Sequence, residues 1–133
     1  MIKTVWGVTL YVSDLARAKR FYQEALGLEM KYEYPSYVGF ECGGVEIGLM
    51  PRLKKGQRVG PLSPPVEFLV DDAQKVCDKL KRKGVKFTKD LHEEQWGSRQ
   101  ATFTDPDGNI LEIVQIDWEK YFAVSAEGAK KKQ

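Results

Sequence analysis

Between Thr4 and Val12 the chain alternates, with Val8, Leu10 and Val12 on one side and Gly7, Thr9 and Tyr11 on the other. A two-residue period rich in β-branched and aromatic types predicts a strand. The period then changes. Ser13 or Asp14 can accept the first free amides of a helix, Leu15, Ala18, Phe21, Tyr22 and Ala25 recur at helical spacing, and Gly27 stands where a left-handed stop belongs. One amphipathic helix is expected there. Short strands are predicted over residues 28–34, 37–41 and 45–50, separated by Pro35-Ser36 and Gly43-Gly44.

Residues 51–64 carry Gly56, Gly60, three prolines and the cations Arg52, Lys54, Lys55 and Arg58 without an apolar period, so they read as a linker. The pattern then restarts. Val66, Phe68 and Val70 alternate with Pro65, Glu67 and Leu69; Asp71 or Asp72 caps a helix whose apolar face is Ala73, Val76, Cys77 and Leu80; Gly84 ends it. A short strand over 85–88, a polar loop over 89–98 and strands over 99–104 and 109–115 follow, the last two joined by the turn Asp105-Pro106-Asp107-Gly108. Laying Val8–Val12 on Val66–Val70 brings the Gly44 strand onto the Gly108 strand, with strand, cap, helix and glycine stop in the same order.

The predicted fold is therefore α+β, two tandem βαβββ modules (1–50 and 65–116) in one structural domain, followed by an extension over 117–133. Trp118, Tyr121, Phe122 and Val124 give that extension a short apolar helical stripe, whereas 126–133 are polar, lysine-rich and expected to be disordered.

Composition narrows the function. The 133 residues have 42% hydrophobic and 30% charged side chains, enough for one real core. Twenty-one Lys+Arg against nineteen Asp+Glu gives a net charge of +2, too balanced for the basic stripe of a nucleic-acid binder. No apolar run approaches the roughly 18 to 20 residues that cross a bilayer, and no leader pattern opens the chain, so a cytoplasmic protein without membrane contact is expected. Cys42 and Cys77 form no Cys-x-x-Cys pair and read as inert thiols, and a single histidine, His92, rules out a histidine-rich metal site. No nucleophile elbow, Walker loop or dinucleotide fingerprint is present.

Val8 to Asp14 with Ala18-Lys19-Arg20-Phe21-Tyr22 and Leu26-Gly27-Leu28, then Val66 to Asp72, Gly84-Val85, Trp96-Gly97 and Asp105-Pro106-Asp107-Gly108-Asn109 with Glu112, resemble the vicinal oxygen chelate superfamily. That group contains glyoxalase I, bleomycin-resistance proteins, fosfomycin-resistance transferases and extradiol dioxygenases. The resemblance covers about residues 4–116 and implies mixed sheets cupped around a small-molecule cavity, helices on the outer face and a homodimer. It says little about the reaction, because the same fold carries many. In the family's metal enzymes, ligands occupy positions that fall here on Gly7, Gly48, Pro65 and Glu112. Only Glu112 offers a donor, whereas a catalytic divalent ion usually takes at least three protein ligands. No metal or other cofactor is expected, the alternative being one divalent metal involving Glu112.

Strand alternation places Gly7, Thr9 and Tyr11, Glu46, Gly48 and Met50, Pro65, Glu67 and Leu69, and Ile110, Glu112 and Val114 on the face that the resemblance turns toward the cavity. Glu46 and Glu67, near strand ends, either reach water or meet a ligand. Glu112 lies mid-strand among apolar neighbours, so it needs a partner, whether a ligand or a structural bond to Arg99 or Thr9. His92 reads as a solvated loop residue or a base at the cavity mouth. Trp96 either stacks on a ligand or covers the core, and Tyr32, Tyr34 and Tyr37 are cavity walls or packing.

The function expected is metal-independent binding of a cationic or aromatic small molecule by Thr9, Tyr11, Glu46, Met50, Glu67, Leu69, Trp96 and Glu112. Two alternatives stand beside it: a glyoxalase-like lyase or isomerase with Glu112 or Glu67 as proton-transfer base, and an interaction module whose working part is its dimer surface.

Overall fold

In the computed structural model, which describes residues 1–51, 65–95 and 97–123, each half of the chain builds the same four-stranded sheet. The first runs β1 (Gly7–Val12), α1 (Leu15–Arg20), a π-helical turn (Phe21–Ala25), β2 (Glu29–Tyr34), β3 (Tyr37–Cys42) and β4 (Val45–Pro51). The second runs β5 (Val66–Leu69), α2 (Ala73–Arg82), β6 (Phe87–Glu93), β7 (Ser98–Thr104) and β8 (Ile110–Ile116), and a helical turn covers 118–123. The sheet orders, β1-β4-β3-β2 and β5-β8-β7-β6, are one topology used twice. In each, the first strand lies parallel to the last, a pairing that needs the long crossover supplied by the helix and the intervening strands. The tandem βαβββ architecture predicted from the repeat is the architecture observed. Most of the predicted linker, Trp96 and residues 124–133 fall outside the described residues.

By their contacts the residues group into two compact units, Met1–Pro64 with Thr104–Ile110 and Pro65–Phe103 with Leu111–Gln133. The first buries Leu10, Val12, Ala18, Tyr22, Val38, Phe40, Ile47 and Leu49. The second buries Ala73, Cys77, Leu80, Val85, Ala101, Phe103, Leu111 and Ile113. These are the apolar alternates of the strands and the inner stripes of the helices. Asp14 and Asp72 cap the two helices by accepting from the Arg17 and Lys75 amides, and Gly27 and Gly84 take positive φ beyond them.

Two expectations need correction. The first helix is not uniformly α: the Leu26 amide reaches back five residues to Phe21, and the turn widens. Its buried Tyr22 donates to Asp105 Oδ2 at 2.8 Å, and Asp105 also accepts from the Asp107 and Asn109 amides and the Asn109 side chain. Burial and the Asp105 charge hold the Tyr22 phenol far above its usual range. The second correction concerns residues 89–93, predicted as polar loop. They complete β6, with His92 opposite Gln100 and Glu93 opposite Arg99 on β7. Ladder bonds to β7 hold this stretch although it buries little.

Candidate functional site

The sequence pointed to three carboxylates, and the structure places them in two settings. Glu46, read as reaching water or a ligand, is 4% exposed and fully engaged by its own unit. Tyr32 and Tyr37 each donate a phenol hydrogen bond to it at 2.5 Å, one to each oxygen, and Lys31 Nζ stands 3.2 Å from Oε1. Burial pushes the Glu46 carboxyl up, but the two phenols and the lysine together outweigh it and hold the group below its ordinary value. The phenols move the other way: the bond to Glu46, then burial, raises Tyr32 to about 12, and burial and Glu46 raise Tyr37 while a hydrogen bond with Thr9 opposes them.

Two glycines make room for this clamp. Gly39 and Gly48 face each other across β3 and β4. A Cβ on Gly39 would stand 2.9 Å from the Tyr32 ring, and one on Gly48 would collide with the Tyr37 hydroxyl. A glycine inside a strand often marks close approach by another group, and here the group is a tyrosine that the sequence had singled out as cavity wall or packing. Lys31 could not be anticipated, because neighbours on a regular strand point to opposite faces. β2 has a register shift between Met30 and Tyr32, and Lys31 and Tyr32 both reach Glu46.

In the second unit Glu67 and Glu112 are directly opposite each other on the parallel strands β5 and β8. A hydrogen bond between two carboxyls forms only when one of them is protonated. Burial, then the hydrogen bond and the charge of Glu67, raises the Glu112 carboxyl, against opposing charges of Lys89 and His92. Glu112 thus finds its partner in Glu67 rather than Arg99, whose Nε is buried without a partner. His92, moved from loop to strand, places its Nε2 2.9 Å from Glu94. Next to the pair is a hollow of about 330 Å³ lined by Glu67, Leu69, Val114, Ile116, Trp118 and Tyr121.

Of the other expected binding residues, Thr9 bonds Tyr37, while Tyr11 and Met50 are half-buried and paired across β1 and β4. Leu69 is 64% exposed at the hollow. Trp96 lies outside the described residues.

A metal does not fit the family's ligand positions. In the first unit Gly7 and Gly48 carry no donor, a Cβ at Gly7 would stand 2.6 Å from the Glu46 carbonyl, and the Tyr37 phenol fills the space beside Gly48. In the second, Pro65 has none and the Glu112 carboxyl is engaged with Glu67. Among the described residues, no group of three or more His, Cys, Asp or Glu side chains is placed to hold an ion.

Comparison with known proteins bears on this geometry. The chain is 31% identical over 122 residues to Uncharacterized protein YraH of Bacillus subtilis, covering 82% of this chain and 95% of the relative. It is 28% identical over 122 residues to a lactoylglutathione lyase of Haemophilus influenzae, covering 80% of this chain and 87% of that enzyme. A solved member of the glyoxalase/bleomycin resistance protein/dioxygenase superfamily from Sphaerobacter thermophilus superposes with a TM-score of 0.71 at 28% identity, covering 86% and 98% of the two chains. The model of that same family matches residues 7–113, from the first strand to the strand that carries Glu112. With the duplicated sheets and the paired strands already in place, this chain belongs to the Glyoxalase/Bleomycin resistance protein/Dioxygenase superfamily.

Proposed function

We propose that the protein is a metal-independent small-molecule-binding protein whose ligand seat is the Glu67–Glu112 pair and the hollow beside it. The observation that carries this reading is the pair itself: two carboxyls in register on neighbouring strands, opening beside a hollow walled by Leu69, Val114, Ile116, Trp118 and Tyr121. A cationic group on an aromatic or apolar body satisfies both parts, by Coulomb attraction at the acids and by burial and stacking at the walls. Superfamily membership is consistent with a small-molecule ligand, and the free thiols Cys42 and Cys77 suit the reducing cytoplasm.

A thermal-shift screen of cationic aromatic compounds, followed by calorimetry on Glu112→Gln and Glu67→Gln, tests the reading. Stabilisation by a cationic compound, lost in both variants, supports it; tight one-to-one uptake of Ni²⁺, Zn²⁺ or Mn²⁺ that Glu112→Gln abolishes would refute metal independence.

One observation favours a second reading, a glyoxalase-like lyase or isomerase. A carboxyl raised above its ordinary value by burial and pairing is a stronger base than a free one, and Glu112 is such a group. Turnover of 2-oxoaldehyde–thiol adducts by the purified protein, abolished in Glu112→Gln with binding retained, would establish that reading.

A further inference from the structure

The residues around Glu46 also enclose a cation. Lys31 Nζ lies 5.2 Å from the centre of the Trp6 ring and 5.7 Å from that of Tyr32, while contacting Glu46 at 3.2 Å. Two aromatic faces and a carboxylate converging on one point are what binds an alkylated ammonium ion. We propose that Trp6, Tyr32 and Glu46 form an ammonium-binding cage in the first unit, that Lys31 occupies it as an internal ligand, and that an external methylated ammonium group displaces Lys31.

Three features support displacement. The anion stays in place without the lysine, because the Tyr32 and Tyr37 hydroxyls fix both Glu46 oxygens and the Trp6 carbonyl holds its amide at 2.8 Å. The occupant has a way out: β2 is an edge strand of its sheet, the Lys31 side chain is 31% exposed and Trp6 is 72% exposed, so a rotamer change empties the cage toward water. The occupant is also a poor match, since a primary ammonium is strongly hydrated and resists drying, whereas a methylated one gives up water readily and covers both rings. The register shift in β2 brings Lys31 to this face, and such irregularities often aim a side chain at a working site.

The probes are choline and tetramethylammonium, with 3,3-dimethyl-1-butanol as the neutral isostere of choline. In calorimetric titrations, Lys31→Ala should bind choline about tenfold more tightly than the wild-type protein, the neutral isostere should not compete, and adding Trp6→Ala should erase the gain. In the wild-type protein, choline should shift the NMR signal of the Lys31 ε-methylene as it leaves the shelter of the two rings. Equal choline affinity in wild type and a folded Lys31→Ala overturns the proposal, as does equal binding of the neutral isostere. Should Lys31→Ala fail to fold, a Lys31 signal that stays fixed up to the solubility limit of choline chloride overturns it.

Discussion

Glu46 and Glu112 lie on β4 and β8, the equivalent last strands of the two modules, yet their surroundings drive their protons in opposite directions. Glu112 is raised by burial and by its bond to Glu67, so the native state favours its protonated form; its contribution to stability is full below the ordinary carboxyl value and is lost as pH rises through the shifted one. Glu46 is lowered, and its contribution is present above the ordinary value and lost as pH falls through the shifted one. Urea midpoints between about pH 3 and pH 8 should therefore show Glu112→Gln more stable than wild type at neutral pH, with the decline on the alkaline side flattened. Glu46→Gln should be less stable at neutral pH and flatter on the acid side. A Glu112→Gln protein that is less stable than wild type at pH 7 would contradict the upward shift of the Glu112 carboxyl. Gly48→Ala belongs to the same scale: its methyl meets the Tyr37 phenol, which predicts a loss of about 1–3 kcal/mol in the wild-type background and a much smaller one in a Tyr37→Ala background, the difference being the coupling read by the double-mutant cycle. Strand alternation was enough to single out Glu112 as needing a partner. Naming Glu67 took the pairing register, and seeing Lys31 beside Glu46 took a bulge that alternation excludes.

The elements were legible where a local signal ends them and hidden where only a neighbour holds them. Asp72 before an apolar stripe, with Gly84 after it, marks α2 without tertiary knowledge, and Asp72→Ala should cost about 1 kcal/mol in chemical denaturation, because the Lys75 amide loses its acceptor. A loss below a few tenths would mean that water caps the helix equally well. β6 lacks such a signal: Lys89, Asp90 and Glu93 are exposed, and what makes the segment a strand is its ladder to β7. The widened turn over Phe21–Ala25 was hidden for a related reason. Tyr22 is committed to Asp105, far away in sequence, and helical spacing counts carry no record of that bond.

At the scale of the whole molecule, the unanswered exposure is apolar. Leu69, Trp118 and Phe122 are 64%, 51% and 62% exposed in the second unit, and Trp118 packs edge-on against Tyr121 and close to Phe122, so the rings form one patch rather than scattered residues. Covering a ring of this size contributes roughly 1.5–3 kcal/mol, a substantial share of the stability of a small dimer. The homodimer expected from the family resemblance would use this patch. Sedimentation equilibrium should then give twice the chain mass, and Trp118→Glu with Phe122→Glu should return a folded monomer, because two buried carboxylates from each chain cannot be accommodated at a two-fold contact. Ligand titration of that monomer separates the two roles of the patch. If a cationic aromatic ligand still binds with unchanged affinity, the rings serve the partner alone. If affinity falls while Glu112→Gln in the dimer also abolishes binding, Trp118 is a wall of the seat as well. A wild-type protein that sediments as a monomer at about 100 μM would remove the dimer and leave the patch to the ligand.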